Sequence, residues 1–192
     1  MLDAMAARDE KAIEGAAVKL LGAARLLVQS QALIGSAMLT TIDRDAAQYE
    51  ATQFDVLLYR TASVLLDAAG TVMRGGAQPQ FGADMERIVS EIDALVTSGS
   101  AKAEASIADE KATLKETRDP AVALLIRKAL EIDELERRSF AVAREFASAL
   151  RALPKGPVGF GHIEQSLNAL RIARAAMDEI TLAQNAVLAR DH

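Results

Sequence analysis

Apolar residues recur at every seventh position over the first third of the chain. The members of one series are large, and those of a second series are mostly small until it reaches Leu58. The first series is Ile13, Leu20, Leu27 and Ile34, and the second is Ala16, Ala23, Ser30, Ala37, Arg44, Ala51, Leu58, Leu65 and Val72. A sustained seven-residue repeat is typical of a helix that packs lengthwise against other long helices. We therefore expect one side of this region, including Leu20 and Leu65, to face inward in the assembled molecule.

Two interpretations of this region remain open. It contains no Pro, and no Gly lies between Gly35 and Gly70, so a single rod over residues 3–74 is allowed. Such a rod would be about 105 Å long at 1.5 Å per residue. Alternatively, two helices meet near residues 40–43, where polar residues replace apolar ones.

Two turns rich in Gly and Pro, at residues 75–82 and 154–161, predict helix ends. Each turn carries a Phe-Gly pair just before an amphipathic stretch. We expect Phe81 and Phe160 each to cover one end of a helical bundle.

The remaining apolar patterns predict further helices. A stretch with three-four spacing begins near Met85 and is predicted to be interrupted at residues 97–100. A largely solvated helix follows over residues 102–119. Asp119 before Pro120 is a typical helix start, with Asp as the N-cap and Pro at the first helical position. The last helix runs from about Ile163 to Arg190.

Together these patterns predict an all-α protein, a single helical-bundle domain over residues 1–192. Short connections favour antiparallel neighbours, and small residues along the first helix favour small crossing angles. We expect an elongated antiparallel bundle of four to five long helices. It could also consist of two stacked sub-bundles that share the long helix 3–74.

Composition excludes several classes of function. The formal net charge of -5 disfavours nucleic acids and anionic membrane surfaces as partners. The absence of Cys excludes disulfides and thiolate chemistry. No run of 18 apolar residues occurs, so no membrane span is expected. The first residues lack the layout of a signal peptide, which leaves a cytosolic protein or the soluble piece of a longer membrane protein.

Candidate chemistry is sparse. His162 and His192 stand outside the spacings typical of di-iron and zinc sites. Without Cys or a suitably placed His, a nucleophilic triad lacks its base. We therefore expect no catalytic residue, no metal site and no cofactor, and the protein is not expected to be an enzyme.

The candidate ligand-binding residues are Arg44, Gln48, Tyr59 and Arg60. Arg44 falls on the seven-residue series, and a buried guanidinium needs a carboxylate or several carbonyl oxygens as partners because its desolvation is costly. That partner is either a protein carboxylate such as Asp55 or an anionic ligand, which Arg binds in a bidentate manner. Tyr59 and Arg60 are expected at the shoulder of the bundle, where a small ligand fits between helices.

Two short windows carry a resemblance to a known family. Residues 45–60 read DAAQYEATQFDVLLYR, an acidic residue followed by Phe and an apolar run, and residues 135–142 read LERRSFAV. These windows resemble the helical sensor ectodomains of bacterial methyl-accepting chemotaxis receptors, in particular the helical bimodular kind.

The resemblance implies a periplasmic homodimer that binds a small organic ligand, often an organic acid, between helices or at the dimer interface. Binding would displace a helix, and the membrane would be reached only through flanking segments outside this chain. The alternative is a cytosolic helical interaction or structural protein, a phasin-like coat or a partner-binding adaptor, without a small-molecule ligand. Apolar stripes left exposed after folding favour this alternative, and a closed bundle with a polar pocket favours the sensor.

Overall fold

The structure is a computed structural model that describes residues 2–78, 80–153 and 159–191. Over these ranges it is all-α, as the apolar patterns predict, and residues 154–158 of the second Gly/Pro turn lie outside them. The elements are α1 (Leu2–Met38), α2 (Ala47–Met73), α3 (Phe81–Glu116), α4 (Pro120–Arg151), α5 (Phe160–Leu188) and a short 3-10 helix (Ala189–Asp191).

The first stretch is two helices, because the backbone leaves the helical path after Met38. The hydroxyls of Thr40 and Thr41 donate to the carbonyl oxygens of Ala37 and Met38, both at 2.7 Å. These bonds satisfy carbonyl groups that have no partner at a helix end. The break therefore falls where the polar residues interrupt the repeat, and residues 3–74 are not a single rod.

α1 packs along α2 in the antiparallel direction. Gln29 donates to the hydroxyl of Ser63 at 3.2 Å, and Arg25 pairs with Asp67. Further along, a β-carbon on Gly35 would lie only 2.7 Å from a methyl group of Val56. Glycine at position 35 therefore permits a close approach of the two helices.

The core lies among α2, α3, α4 and α5. Leu58 and Leu65 are fully buried there, as the seven-residue repeat predicts. Phe54 and Phe146 meet at the centre, with ring centroids 6.4 Å apart and tilted by 58°. Because α2 contacts each of the other four helices, it is the central element of the fold.

The later helices confirm some predictions and correct others. The side chain of Asp119 accepts hydrogen bonds from the backbone nitrogens of Ala121 and Val122, which confirms it as the N-cap of α4. Phe81 is buried as predicted, whereas Phe160 is 56% exposed and does not cover the bundle end. The interruption predicted at residues 97–100 is wrong, because α3 continues through them.

Leu20 is 71% exposed in the single chain, so its inward position in the assembled molecule stays a prediction. Among the described helices α1 contacts α2 alone. The side of α1 that faces α2 carries the half-buried Leu21 and Val28, and the seven-residue series that includes Leu20 faces solvent. The repeat indicates lengthwise packing, but it does not say which helix supplies the partner surface.

Two segments, Ala12–Met38 and Ala47–Met73, are long and apolar enough to cross a membrane by length and composition. A buried core helix passes the same test of length and composition, so the expectation that nothing in the chain spans a membrane stays a prediction. Almost half of the α2 segment is buried in the protein core, whereas none of the α1 segment is.

Candidate functional site

A cavity of about 270 Å³ opens where the start of α2 meets the middle of α3 and α4. We call it the acidic cavity because its lining includes three carboxylates and one Lys. Its lining residues are Asp45, Ala46, Ala47, Gln48, Lys102, Ser106, Ala129, Ile132, Asp133 and Glu136.

Lys102 holds one side of the acidic cavity together. Its ammonium group donates to the carboxylate of Glu50 at 2.8 Å and to the backbone carbonyl oxygen of Arg44. The hydroxyl of Ser98 donates to the same Glu50 oxygen at 2.9 Å. Glu50 is only 6% exposed, so this ion pair fixes the α1–α2 connection and α2 against α3.

The opposite side of the acidic cavity is rich in carboxylates. Glu136 is only 4% exposed. Burial, together with the nearby negative charges of Asp133 and Glu110, raises the pKa of Glu136 to about 7. Burial followed by the charges of Asp133 and Asp109 likewise raises the pKa of Glu110 to about 7. These groups therefore titrate near neutral pH.

Several carboxylate oxygen atoms in or next to the acidic cavity have no hydrogen-bond partner in the described part of the protein. They are Oε2 of Glu50, Oε2 of Glu110 and Oδ2 of Asp133, and all three are buried. Buried polar atoms are normally satisfied. Even so, no group of three or more acidic or His side chains within residues 2–78, 80–153 and 159–191 is arranged to hold a metal ion.

The residues predicted as a ligand site are only partly brought together. Gln48 lines the acidic cavity, and Arg44 reaches its edge through its backbone carbonyl oxygen. The burial expected for the Arg44 side chain is wrong, because this residue lies exposed in the α1–α2 connection. It stands outside the helices, where the seven-residue repeat no longer determines which way a side chain faces.

Tyr59 and Arg60 lie elsewhere, since eleven residues of helix place Tyr59 about 16 Å along α2 from Gln48. The guanidinium of Arg60 pairs with Glu91 of α3 at 2.9 Å. Tyr59 lies beneath the guanidinium of Arg174, which stands 4.5 Å from the ring centroid.

Arg174 of α5, rather than Arg44, is the partner of Asp55. It contacts Asp55 at 2.5 Å and Asp178 at 2.9 Å. Burial raises the pKa of Asp55, although the charge of Arg174 acts in the opposite direction. Because Arg174 contacts both Asp55 and the ring of Tyr59, Tyr59 belongs to a set of contacts between α2 and α5.

Sequence reasoning missed Lys102, Asp133 and Glu136. Lys102 was assigned to a solvated helix, although Lys102, Ser106 and Glu110 follow one another at four-residue spacing on α3. Such spacing places polar side chains on one helix face. This face packs against α4 and not against water because of the way the helices pair. The spacing alone does not reveal that pairing.

Comparison with known proteins adds no assignment. The chain matches no protein-family model, and no significant match is found among curated proteins or solved structures.

Proposed function

We propose that this protein is a helical interaction protein that self-associates through the outward face of α1. The observation that carries the proposal is the exposure of large apolar side chains along this helix. They are Ile13, Leu20, Leu26, Leu27, Leu33, Ile34 and Met38, each between 54% and 71% exposed. Apolar patches of this extent are typical of protein or membrane interaction sites.

The pattern on this face is complementary to itself. Large residues at 13, 20, 27 and 34 alternate with Ala or Ser at 16, 23, 30 and 37, all of them exposed. In the antiparallel register that pairs all eight positions, Leu20 lies opposite Ser30 of the second copy, and Leu27 lies opposite Ala23. Every layer then joins one large and one small side chain, which keeps the helix separation uniform. A parallel pair would instead alternate large-large and small-small layers.

The arrangement of these side chains suits a dimer. A two-helix interface would remove Ile13, Leu20, Leu27, Ile34 and Met38 of both copies from water, which contributes about 25 cal/mol per Å² of apolar surface. Leu26 and Leu33 lie about 100° further around the helix and would stay at the edge of the interface. A face that pairs with its own copy gives a closed two-fold dimer rather than a filament.

Analytical ultracentrifugation tests this proposal. We expect the wild type to be dimeric at micromolar concentration and both Leu20→Glu and Leu27→Glu to be monomeric with unchanged helix content. Leu182→Glu on α5 is the matched control, since Leu182 is 69% exposed, and it should stay dimeric. A monomeric wild type would overturn the proposal. If that monomer floated with phosphatidylcholine vesicles, the face would be a membrane surface instead.

A second candidate function is a periplasmic small-molecule sensor, built as an elongated antiparallel bundle. The acidic cavity favours it, because a polar pocket between helices is where a small ligand binds. Ligand binding there would shift α2 relative to α3 and α4. A thermal-shift screen against organic acids and amines tests this candidate. It would be supported by a compound that stabilises the wild type but does not stabilise a variant altered in the lining of the cavity.

A further inference from the structure

We propose that the acidic cavity binds a small organic cation, with the ligand's ammonium group between Asp133 and Glu136. This inference rests on the second candidate function only in treating the cavity as a ligand site. It does not depend on self-association through α1, nor on any connection to a membrane.

Glu136 is the central observation. It is 96% buried and lines the acidic cavity, and no ion pair to its carboxylate is found in the described ranges. Asp133, three residues earlier on α4, also faces the cavity and has one buried oxygen without a hydrogen-bond partner. A buried carboxylate is costly unless it is paired or protonated.

The Lys in the lining does not meet this need. The ammonium group of Lys102 is already bonded to Glu50 and to the carbonyl oxygen of Arg44. An incoming cation would therefore gain the attraction of Asp133 and Glu136 without displacing an existing ion pair. The pKa of Glu136, raised to about 7, is consistent with a site where positive charge is missing.

The cavity points to an organic cation rather than a metal ion. The carboxylates do not form a group of three ligands suited to a metal within the described residues. Its volume of about 270 Å³ lies just below the ~300–1,000 Å³ of typical ligand sites, so the ligand is small. Ala129 and Ile132 offer an apolar wall to a short alkyl chain. A short primary amine or diamine meets all three conditions.

Isothermal titration calorimetry with n-butylamine and 1,4-diaminobutane at pH 7.5 tests the inference, with 1-butanol and potassium chloride as matched controls. We expect the amines to bind and the controls not to. At 100 times the dissociation constant, an amine should raise the melting temperature by about 5–10 °C.

Glu136→Gln should weaken amine binding at least tenfold, and its circular dichroism spectrum should show that it remains folded. Glu145→Gln is the matched control, because Glu145 is an exposed acid on the same helix. The inference would be overturned if 1-butanol gave the same heat of binding as the amines. It would also be overturned if Glu136→Gln bound the amines as tightly as the wild type does.

The same titrations on the Leu20→Glu variant separate amine binding from self-association through α1, because this variant is expected to be monomeric. Binding of propionate in place of amines would support the second candidate function with an anionic ligand and would overturn the assignment of a cation.

Discussion

The ring of Phe140 on α4 occupies the space that a β-carbon on Gly99 of α3 would need. Phe140 is 1% exposed, and it packs in a cluster with Ala47 and Ala103 as well, so Gly99 provides one part of its burial. A Gly inside a helix costs roughly 0.5–1 kcal/mol relative to Ala. Full burial of a Phe side chain contributes about 1.5–3 kcal/mol, which exceeds the cost of the Gly that lets the ring approach α3.

Gly99→Ala should lower the free energy of unfolding by about 1–3 kcal/mol, because the added methyl group forces Phe140 away from α3. Urea denaturation measures this change. Gly82→Ala is the control, since a β-carbon there meets nothing within 4 Å and Gly82 is on the same helix. Its effect should be neutral or stabilising. A loss of stability in the control as large as in Gly99→Ala would show that the Phe140 contact is not the cause.

The ion pair of Lys102 and Glu50 yields a second prediction. Lys102→Met should reduce the free energy of unfolding by about 1–3 kcal/mol, because it leaves the buried carboxylate of Glu50 without its charged partner. Lys111→Met on the same helix removes an exposed pair with Glu134, at 3.7 Å, and should cost less than about 1 kcal/mol.

The double variant Glu50→Gln with Lys102→Met distinguishes a lost partner from lost packing. It should recover much of the stability, because no unpaired charge remains in the core. Equal denaturation midpoints for the double variant and Lys102→Met would indicate that Lys102 acts through packing alone.

The helices could be predicted from the sequence because the signals that form them are local. Leu58 and Leu65 keep the seven-residue spacing of a buried helix face, and Asp119 caps α4 through backbone groups two and three residues away. The interruption predicted at Gly99 was wrong because a Gly is a common signal of a helix end, whereas here the Gly makes room for Phe140, more than forty positions away in the chain.

The candidate site could be predicted less well, because it depends on which helices meet. Gln48 was identified, whereas Lys102 and Glu136 acquire their roles only when α2, α3 and α4 converge. Leu20 shows the same limit for the surface. Its spacing predicts a packed face, but nothing in the spacing distinguishes a partner within the chain from one outside it.

The raised pKa values of Glu110 and Glu136 yield a prediction for pH dependence. Both are raised from about 4.5 to about 7, so the folded protein binds more protons than the unfolded chain between these values. The free energy of unfolding should therefore fall as the pH rises from 4.5 to 7, and these two groups should add no further change above that.

Glu136→Gln should reduce this slope and stabilise the protein at pH 8 by on the order of 3 kcal/mol. Urea denaturation at pH 5 and pH 8 measures both effects, with Glu145→Gln as the control that keeps the wild-type slope. An unchanged slope in Glu136→Gln would mean that other groups cause the pH dependence.

The direction of the proposed α1 pairing can be read from disulfide formation, because the natural chain contains no Cys. In the antiparallel arrangement Ala16 lies opposite Ile34 of the second copy. A mixture of Ala16→Cys and Ile34→Cys chains should therefore form a mixed disulfide dimer on oxidation, since the two β-carbons face each other across the interface.

Ala16→Cys alone should stay unlinked, because its symmetry mate lies at the far end of the helix. Non-reducing electrophoresis with mass spectrometry identifies the products. Efficient linkage of Ala16→Cys to itself would instead show a parallel pair, and random linkage among all three combinations would show that α1 has no defined partner face.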